Sequence, residues 1–272
     1  MDLGLHGKRA IVTGGSLGIG KAIARELARE GVDVAIVARS KDQLEATARE
    51  LTTTTGRRIV PLVADVTSTE QVDAMVRQAS VELGGLHILV NSGSPPGGSP
   101  TATGPIETVV DADLLHDFDV KYVGALRCAR AAIPYLKAHG WGRIINISGT
   151  NARNAGNLSG GARNAALVHL TKTLAVQLGR YGITVNCIHP GTTRTERTPR
   201  LLAARSAELG IAAEDVEKRD FAHDSPRGNA IGRMVDAAEI AYLAAFLASD
   251  KAWAVTGELV VATGGSGRAV YY

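Results

Sequence analysis

Short apolar runs rich in β-branched residues alternate with helical patterns along the whole chain, and this alternation constrains the fold more than any other feature. Residues 8–13, 32–38, 58–66, 86–91, 142–148, 182–189 and 258–262 read as strands. Residues 18–30, 41–54, 69–83, about 111–138 and about 160–180 read as helices. Strands that are apolar on successive residues are buried on both faces, as in a parallel sheet covered by helices. Strand–helix–strand succession closes through right-handed crossovers. The expectation is an α/β, Rossmann-type, doubly wound fold: a mostly parallel seven-stranded sheet with helices on both faces. No internal repeat or linker-like break divides the 272 residues, so a single domain over 1–272 is expected. Aromatic residues make up only 4% of the chain, so Ala, Val, Ile and Leu must fill the core.

Two segments depart from the rhythm. Residues 92–108, SGSPPGGSPTATGPIET, read as a loop after the fourth strand, and residues 192–230 form a charged, partly helical insertion after the sixth. Both leave the carboxyl ends of strands, where open α/β sheets bind ligands, so they are expected to form the rim and the substrate lid of a site. The charge balance argues against several other partners. A net charge of +3 with no basic run excludes a nucleic-acid surface. No apolar run approaches the ~20 residues that span a bilayer. The start, MDLGLHGKRA, lacks the apolar centre of a signal peptide. Cys128 and Cys187 lie in apolar segments without metal-ligand spacing, so reduced thiols, a cytoplasmic location and no metal are expected.

The turn after the first strand reads TGGSLGIG (13–20). Gly14, Gly18 and Gly20 permit a tight turn and close backbone approach to a pyrophosphate, and the following helix aims its first amides at that anion. The end of the second strand selects the dinucleotide. A carboxylate there binds the ribose 2′-hydroxyl of NAD, but the chain has Ala38, Arg39 and Ser40. Arg39 suits a 2′-phosphate, so NADP(H) is favoured over NAD(H). Leu17 leaves the glycine turn without the basic residue that would add a second phosphate partner.

With these motifs in order, the chain resembles a classical short-chain dehydrogenase/reductase over nearly all of residues 5–267. TGGSLGIG resembles the family's cofactor motif, ADV (64–66) the adenine-contacting segment, and VNSG (90–93) the element after strand four. HPGTTRT (189–195) and FLASDKAWAVTGELVVATGG (246–265) resemble later family elements. The resemblance implies dinucleotide contacts at Gly14, Ser16, Gly18, Ile19, Gly20, Arg39, Asp65, Val66, Asn91 and Gly93. On the nicotinamide side it implies Pro190, Gly191, Thr193 and Thr195. It also implies a homotetramer or dimer built through the helices at about 111–138 and 160–180, and a small-molecule carbonyl or alcohol substrate.

The family's usual catalytic set is Asn, Ser, Tyr and Lys, and here the aligned positions read Lys121, Gly149, Gly160 and Asn164, with Ser148 one residue before Gly149. No Tyr lies between Tyr135 and Tyr181. A substituted proton source is therefore required for hydride-transfer chemistry. Lys121 is the candidate acid, because partial burial lowers a lysine pKa towards neutrality. Gly160 and Asn164 are expected to vacate the volume into which Lys121 extends. Asn164 is a candidate for the ribose hydroxyls and Ser148 for the substrate carbonyl. Arg163 and Asn151 also fall near the site, while His169 reads as structural and His189 as a core or hydrogen-bonded strand-end residue. Arg194, Arg197, Arg200 and Arg205 on the insertion could suit an anionic substrate, but a solvated helix face with mixed charge is the preferred reading. Two alternatives stand beside an atypical NADP-dependent oxidoreductase. One is a non-redox lyase, hydratase or isomerase, and the other is a binding protein that senses the dinucleotide.

Overall fold

A computed structural model describes residues 2–94, 97–222 and 224–267. Pro95 and Pro96 of the expected rim loop and His223 of the expected lid lie outside the described residues. The strands are β1 (Arg9–Thr13), β2 (Asp33–Ala38), β3 (Ile59–Val63), β4 (Ile88–Asn91), β5 (Gly142–Ile147), β6 (Ile183–Pro190), β7 (Thr193–Arg194), β8 (Val235–Asp236) and β9 (Leu259–Ala262). Seven of them form one sheet in the order β3-β2-β1-β4-β5-β6-β9, and every pair in it is parallel. The strand order reverses between β1 and β4, which opens a crevice at their carboxyl ends.

Ten α-helices are described: α1 (Gly18–Arg29), α2 (Lys41–Thr55), α3 (Thr69–Leu83), α4 (Pro100–Thr103), α5 (Asp111–Phe118), α6 (Gly124–Ala138), α7 (Leu158–Leu178), α8 (Thr198–Leu209), α9 (Ala213–Asp220) and α10 (Ala237–Ala248). Successive strand residues face opposite layers. Ala10 and Val12 of β1 join a core with Ile23 and Leu27 of α1, Leu44 and Leu51 of α2, and Ile240 and Ala244 of α10. Ile11, between them, joins the opposite core with Val72 and Val76 of α3, Cys128 and Ala132 of α6, and Leu167 and Leu174 of α7. Full burial of a Leu or Ile side chain contributes roughly 1.5–3 kcal/mol, and neither layer survives without its half of each strand. No helix among the described residues is long and apolar enough to cross a membrane.

Three departures from the sequence reading matter for the site. First, the helix expected over 111–138 is broken: α5 passes into a π turn at Asp119–Val123 and then into α6. A π turn holds one residue more than an α turn and re-aims the side chains it carries; Lys121 sits in it. Arg127 fastens this turn, donating to the Asp119 carboxylate at 2.8 Å and the Val66 carbonyl at 3.2 Å. Second, the segment between residues 230 and 258 carries α10, apolar around most of its circumference and so without a single stripe to read. Third, β7 pairs with β8 in a small parallel ribbon, which closes the base of the 192–230 insertion against the start of α10.

Candidate active site

The crevice begins at the β1–α1 turn. Gly14 has a left-handed backbone (φ +66°), and a Cβ there would lie 2.8 Å from the Ser92 carbonyl oxygen. A Cβ on Gly20 would lie 2.3 Å from the Gly14 carbonyl. The turn, the start of α1 and the end of β4 thus meet through bare backbone. Thr13 Oγ1 accepts from the amides of Ser92 at 3.1 Å and Gly93 at 3.2 Å. Ser16 is buried, and its carbonyl accepts from Thr47 Oγ1 at 2.9 Å. Ile19 is half-buried against the α1 and α10 core.

A cavity of about 290 Å³ runs from this turn across the ends of β2 and β3, lined in part by Gly14, Arg39, Asp65, Val66, Gly93 and Arg197. Arg39 is exposed at its mouth. The Asp65 carboxylate accepts from Thr67 N at 2.9 Å and Thr67 Oγ1 at 2.8 Å. Burial would raise the Asp65 carboxyl, but these bonds and the Arg39 charge outweigh it and hold it below the usual carboxylate range. Asn91 is buried and donates to Asn146 Oδ1 at 2.9 Å, and Asn146 donates onward to Thr171 Oγ1 at 2.9 Å. The Asn91 side chain therefore ties β4 to β5 and α7.

At the N-terminus of α1 the chain supplies its own anion. Glu196 Oε2 accepts from the Gly18 amide at 2.9 Å, and Glu196 Oε1 lies 3.7 Å from Lys21 Nζ. Helix N-termini carry partial positive charge and attract anions. A carboxylate seated there, above a turn too close for any side chain, marks a position that suits the pyrophosphate of a dinucleotide.

The far side of the crevice is built by the carboxyl ends of β5 and β6. Gly191 N donates to the Ala262 carbonyl at 2.9 Å, and a Cβ on Gly191 would lie 2.8 Å from Thr263 Cα, so the chain after Pro190 is pressed against β9. Thr193 Oγ1 turns back to the Gly191 carbonyl at 2.8 Å. The Thr195 side chain faces Gly18.

Lys121 is 9% exposed, and its Nζ lies 3.5 Å from the Ser148 carbonyl oxygen. Burial, assisted by the Arg163 charge, pushes its ammonium down to about 7. Ser148 Oγ donates to the Asn164 carbonyl at 3.0 Å. The Asn164 Oδ1 is buried without a hydrogen-bond partner among the described residues. Asn164 Nδ2 would lie 2.8 Å from a Cβ at position 149, so Gly149 and Asn164 fit one another.

One expectation is corrected here. Gly160 does not vacate a space for Lys121: a Cβ there would lie 2.6 Å from Asn151 Nδ2 and 2.8 Å from Asn157 Oδ1. Asn157 caps α7 by accepting from Gly160 N, so the N-terminal turn of that helix is filled by its own cap. His189 is the core histidine of the two readings, not the hydrogen-bonded one. It is fully buried on β6, yet neither ring nitrogen has a partner among the described residues. Burial, then the charges of Arg153 and Lys121, pushes its imidazolium down to about 4, which leaves it neutral at pH 7. On the insertion, Arg194 is spent on Glu217 at 2.6 Å and Asp236 at 3.0 Å, and Arg205 on Glu208 at 2.7 Å. Burial pushes the Cys128 and Cys187 thiols up to about 12, so both stay protonated. No group of metal-ligating side chains occurs among the described residues.

Asp117, which carries no local signal, shapes the site together with Arg163. Asp117 is completely buried and accepts from Ser99 N and Oγ at 2.9 Å and from Ser159 Oγ at 2.6 Å. Arg163, 4% exposed, places Nη1 3.9 Å from Asp117 and 3.4 Å from Ser94 Oγ. Together they bind the loop after β4 to α5 and α7. Glu196 likewise matches no motif; only the fold sets it on α1.

Known proteins place this geometry. A sequence model of the family described as Enoyl-(Acyl carrier protein) reductase matches residues 14–266. The short-chain reductase protein NovJ of Streptomyces niveus is 33% identical over 257 residues, covering 94% of this chain and 92% of that protein. The NADPH-dependent reductase BacG of Bacillus subtilis is 30% identical over 266 residues, covering 97% and 99%. Among solved structures, L-sorbose reductase from Gluconobacter frateurii, complexed with NADPH and L-sorbose, superposes with a TM-score of 0.91 at 30% identity, covering 99% of this chain and 100% of that one.

Proposed function

Because the chain belongs to the short-chain dehydrogenase/reductase family, we propose that it is an atypical NADP(H)-dependent oxidoreductase acting on a carbonyl or alcohol, with Lys121 as the proton-transfer group where the family uses tyrosine. The observation that carries this reading is the buried Lys121 ammonium at the end of β5, held down to about 7. A general acid works best when its pKa lies near the working pH. NADPH is a known ligand of related reductases, and Arg39 at the cavity mouth supports the phosphorylated dinucleotide here.

When bound, the dinucleotide supplies or accepts the hydride. The residues around it set the rest. Below pH 7 Lys121 is cationic and delivers a proton to the developing alkoxide; above pH 7 it is neutral and takes one from an alcohol. Burial and the Arg163 charge keep that switch close to neutrality. Ser148 has its hydroxyl directed at α7, so its role is to hold Lys121 through its carbonyl rather than to orient the substrate. Asn164 offers an unpaired Oδ1 for a ribose hydroxyl. The dinucleotide contacts are those of the glycine turn, Ser16, Ile19, Arg39, Asp65, Val66, Asn91, Gly93 and the 190–195 segment. The same reading takes residues 1–272 as one domain, 192–230 as its lid, the cytoplasm as its compartment, and a homodimer or tetramer through α6 and α7 as its assembly.

Calorimetric titration with NADPH and then NADH tests the reading. NADPH should bind at least about tenfold more tightly, since a charge-assisted contact contributes roughly 1.5–3 kcal/mol. Failure of both to bind would end the oxidoreductase reading. Binding without turnover of any carbonyl would favour the dinucleotide sensor.

Glu196 gives a second expectation. Its carboxylate competes for the α1 amides, and such contacts contribute about 0.3–1 kcal/mol. Glu196→Gln should therefore tighten NADPH binding about two- to fivefold in the same titration. Weaker binding would mean that Glu196 helps to form the site instead of competing for it.

A further inference from the structure

The glycine turn has Leu17 where a second cation would flank the ribose 2′-phosphate, yet the cavity has two arginines on its lining. Arg39 comes from the end of β2, and Arg197 comes from across the groove, on the strap between β7 and α8. We infer that Arg197 is the second cation for the 2′-phosphate of the dinucleotide, a specificity-determining residue opposite Arg39. This rests on the NADP(H) reading above.

Three observations carry it. The strap is fixed against the glycine turn: Glu196 is bonded to Gly18 N at 2.9 Å, and the Thr195 side chain faces Gly18. Thr195 and Thr198 close a tight turn around Arg197, with Thr198 N to Thr195 O at 3.0 Å and Thr195 N to Thr198 Oγ1 at 2.9 Å. Arg197 is thereby held beside the turn that carries Leu17. Next, Arg194 and Arg205 are consumed by acids of the insertion, whereas Arg197 has no ion pair among the described residues. Finally, the charges on the cavity wall do not balance. Arg39 and Arg197 face a single acid, Asp65, and that carboxylate is already engaged by Thr67. A phosphate monoester of about −1.5 to −2 charge supplies what the wall lacks.

The neighbouring Glu196 lies at the α1 amides, where it competes with a pyrophosphate, and Arg197 lines the cavity beside Arg39.

The test is calorimetric and needs no turnover. Wild type, Arg197→Gln and Arg197→Lys are titrated with NADPH, NADH and 2′,5′-ADP, the last carrying the 2′-phosphate without nicotinamide. Arg197→Gln should weaken NADPH and 2′,5′-ADP about tenfold and leave NADH within about twofold. Arg197→Lys should restore most of the loss, because it keeps the charge on an exposed side chain. Equal weakening of NADPH and NADH would overturn the inference and place Arg197 on the pyrophosphate. Unchanged NADPH binding in Arg197→Gln would overturn it as well. If wild type binds no dinucleotide, the NADP(H) reading fails first and takes this inference with it, a result distinct from the other two.

Discussion

Lys121→Met is expected to lower kcat for carbonyl reduction by about 10²–10⁴-fold, the usual contribution of a general acid, while NADPH binding stays within about twofold. Methionine keeps the length and apolar body of the side chain and removes only the proton carrier. In the wild type, kcat for reduction should fall as pH rises through about 7, because Lys121 deprotonates there. The residual activity of the variant should lack that limb. Lys121→Arg should be as impaired as the methionine variant, since a guanidinium holds its proton at any working pH.

A thermodynamic readout accompanies the kinetic one. The ammonium is held at about 7 in the folded chain against an ordinary 10.5. Between those values the unfolded chain binds more protons than the folded chain, so wild-type stability should rise with pH from about 7 to 10.5. Lys121→Met should lose that slope when urea unfolding is followed across the same window. Wild-type turnover in the methionine variant would remove Lys121 from proton transfer, whatever the stability data show.

Asp117→Ala is expected to cost about 3–5 kcal/mol of folding stability, the scale for breaking a buried ion pair by deleting one partner. The carboxylate is fully buried, holds three hydrogen bonds from Ser99 and Ser159, and lies 3.9 Å from the Arg163 guanidinium. Burial alone would raise this carboxyl; the Ser159 and Ser99 bonds and the Arg163 charge outweigh it and keep it below its ordinary value. Its contribution is therefore present above the ordinary carboxylate range and is lost as pH falls through the lower folded value. Asp117→Asn should lose less, because its oxygen can still accept from Ser99 N and Ser159 Oγ while the new amide donates to the Ser99 hydroxyl. Urea midpoints at neutral pH decide it. A loss under about 1 kcal/mol in Asp117→Ala would show that the Asp117 cluster does not secure the loop after β4.

The two predictions draw on different levels of the molecule. Lys121 was readable as a candidate because it stands where the family's Asn is expected, and because no tyrosine is available on the next helix. Its chemistry was not readable. The sequence reading imagined Lys121 filling a space over Gly160, and that space belongs to Asn151 and Asn157. What lowers Lys121 is burial in a π turn and the neighbouring Arg163 charge, and neither a π turn nor a through-space charge leaves a pattern in linear order. Asp117 shows the same limit from the other side. An acidic residue on a helix reads as solvated, and only the packing of α5 against α7 and the loop after β4 turns it inward.

The strands and most helices were legible because their signals are local and repeated: apolar runs buried on both faces, glycines at the β1–α1 turn, and a helical period between them. Helix α10 was missed because a helix apolar nearly all round has no stripe to detect. The sequence by itself determined the parallel sheet, the glycine turn after β1 and the absence of any tyrosine between Tyr135 and Tyr181, since each depends on the identity of residues at fixed spacing. The tertiary structure alone decided that Glu196 sits on α1, that Arg197 shares a groove with Arg39, and that Lys121 is desolvated. Those contacts join residues far apart in the chain, and their free energy comes from burial and charge at distances that only the folded packing sets.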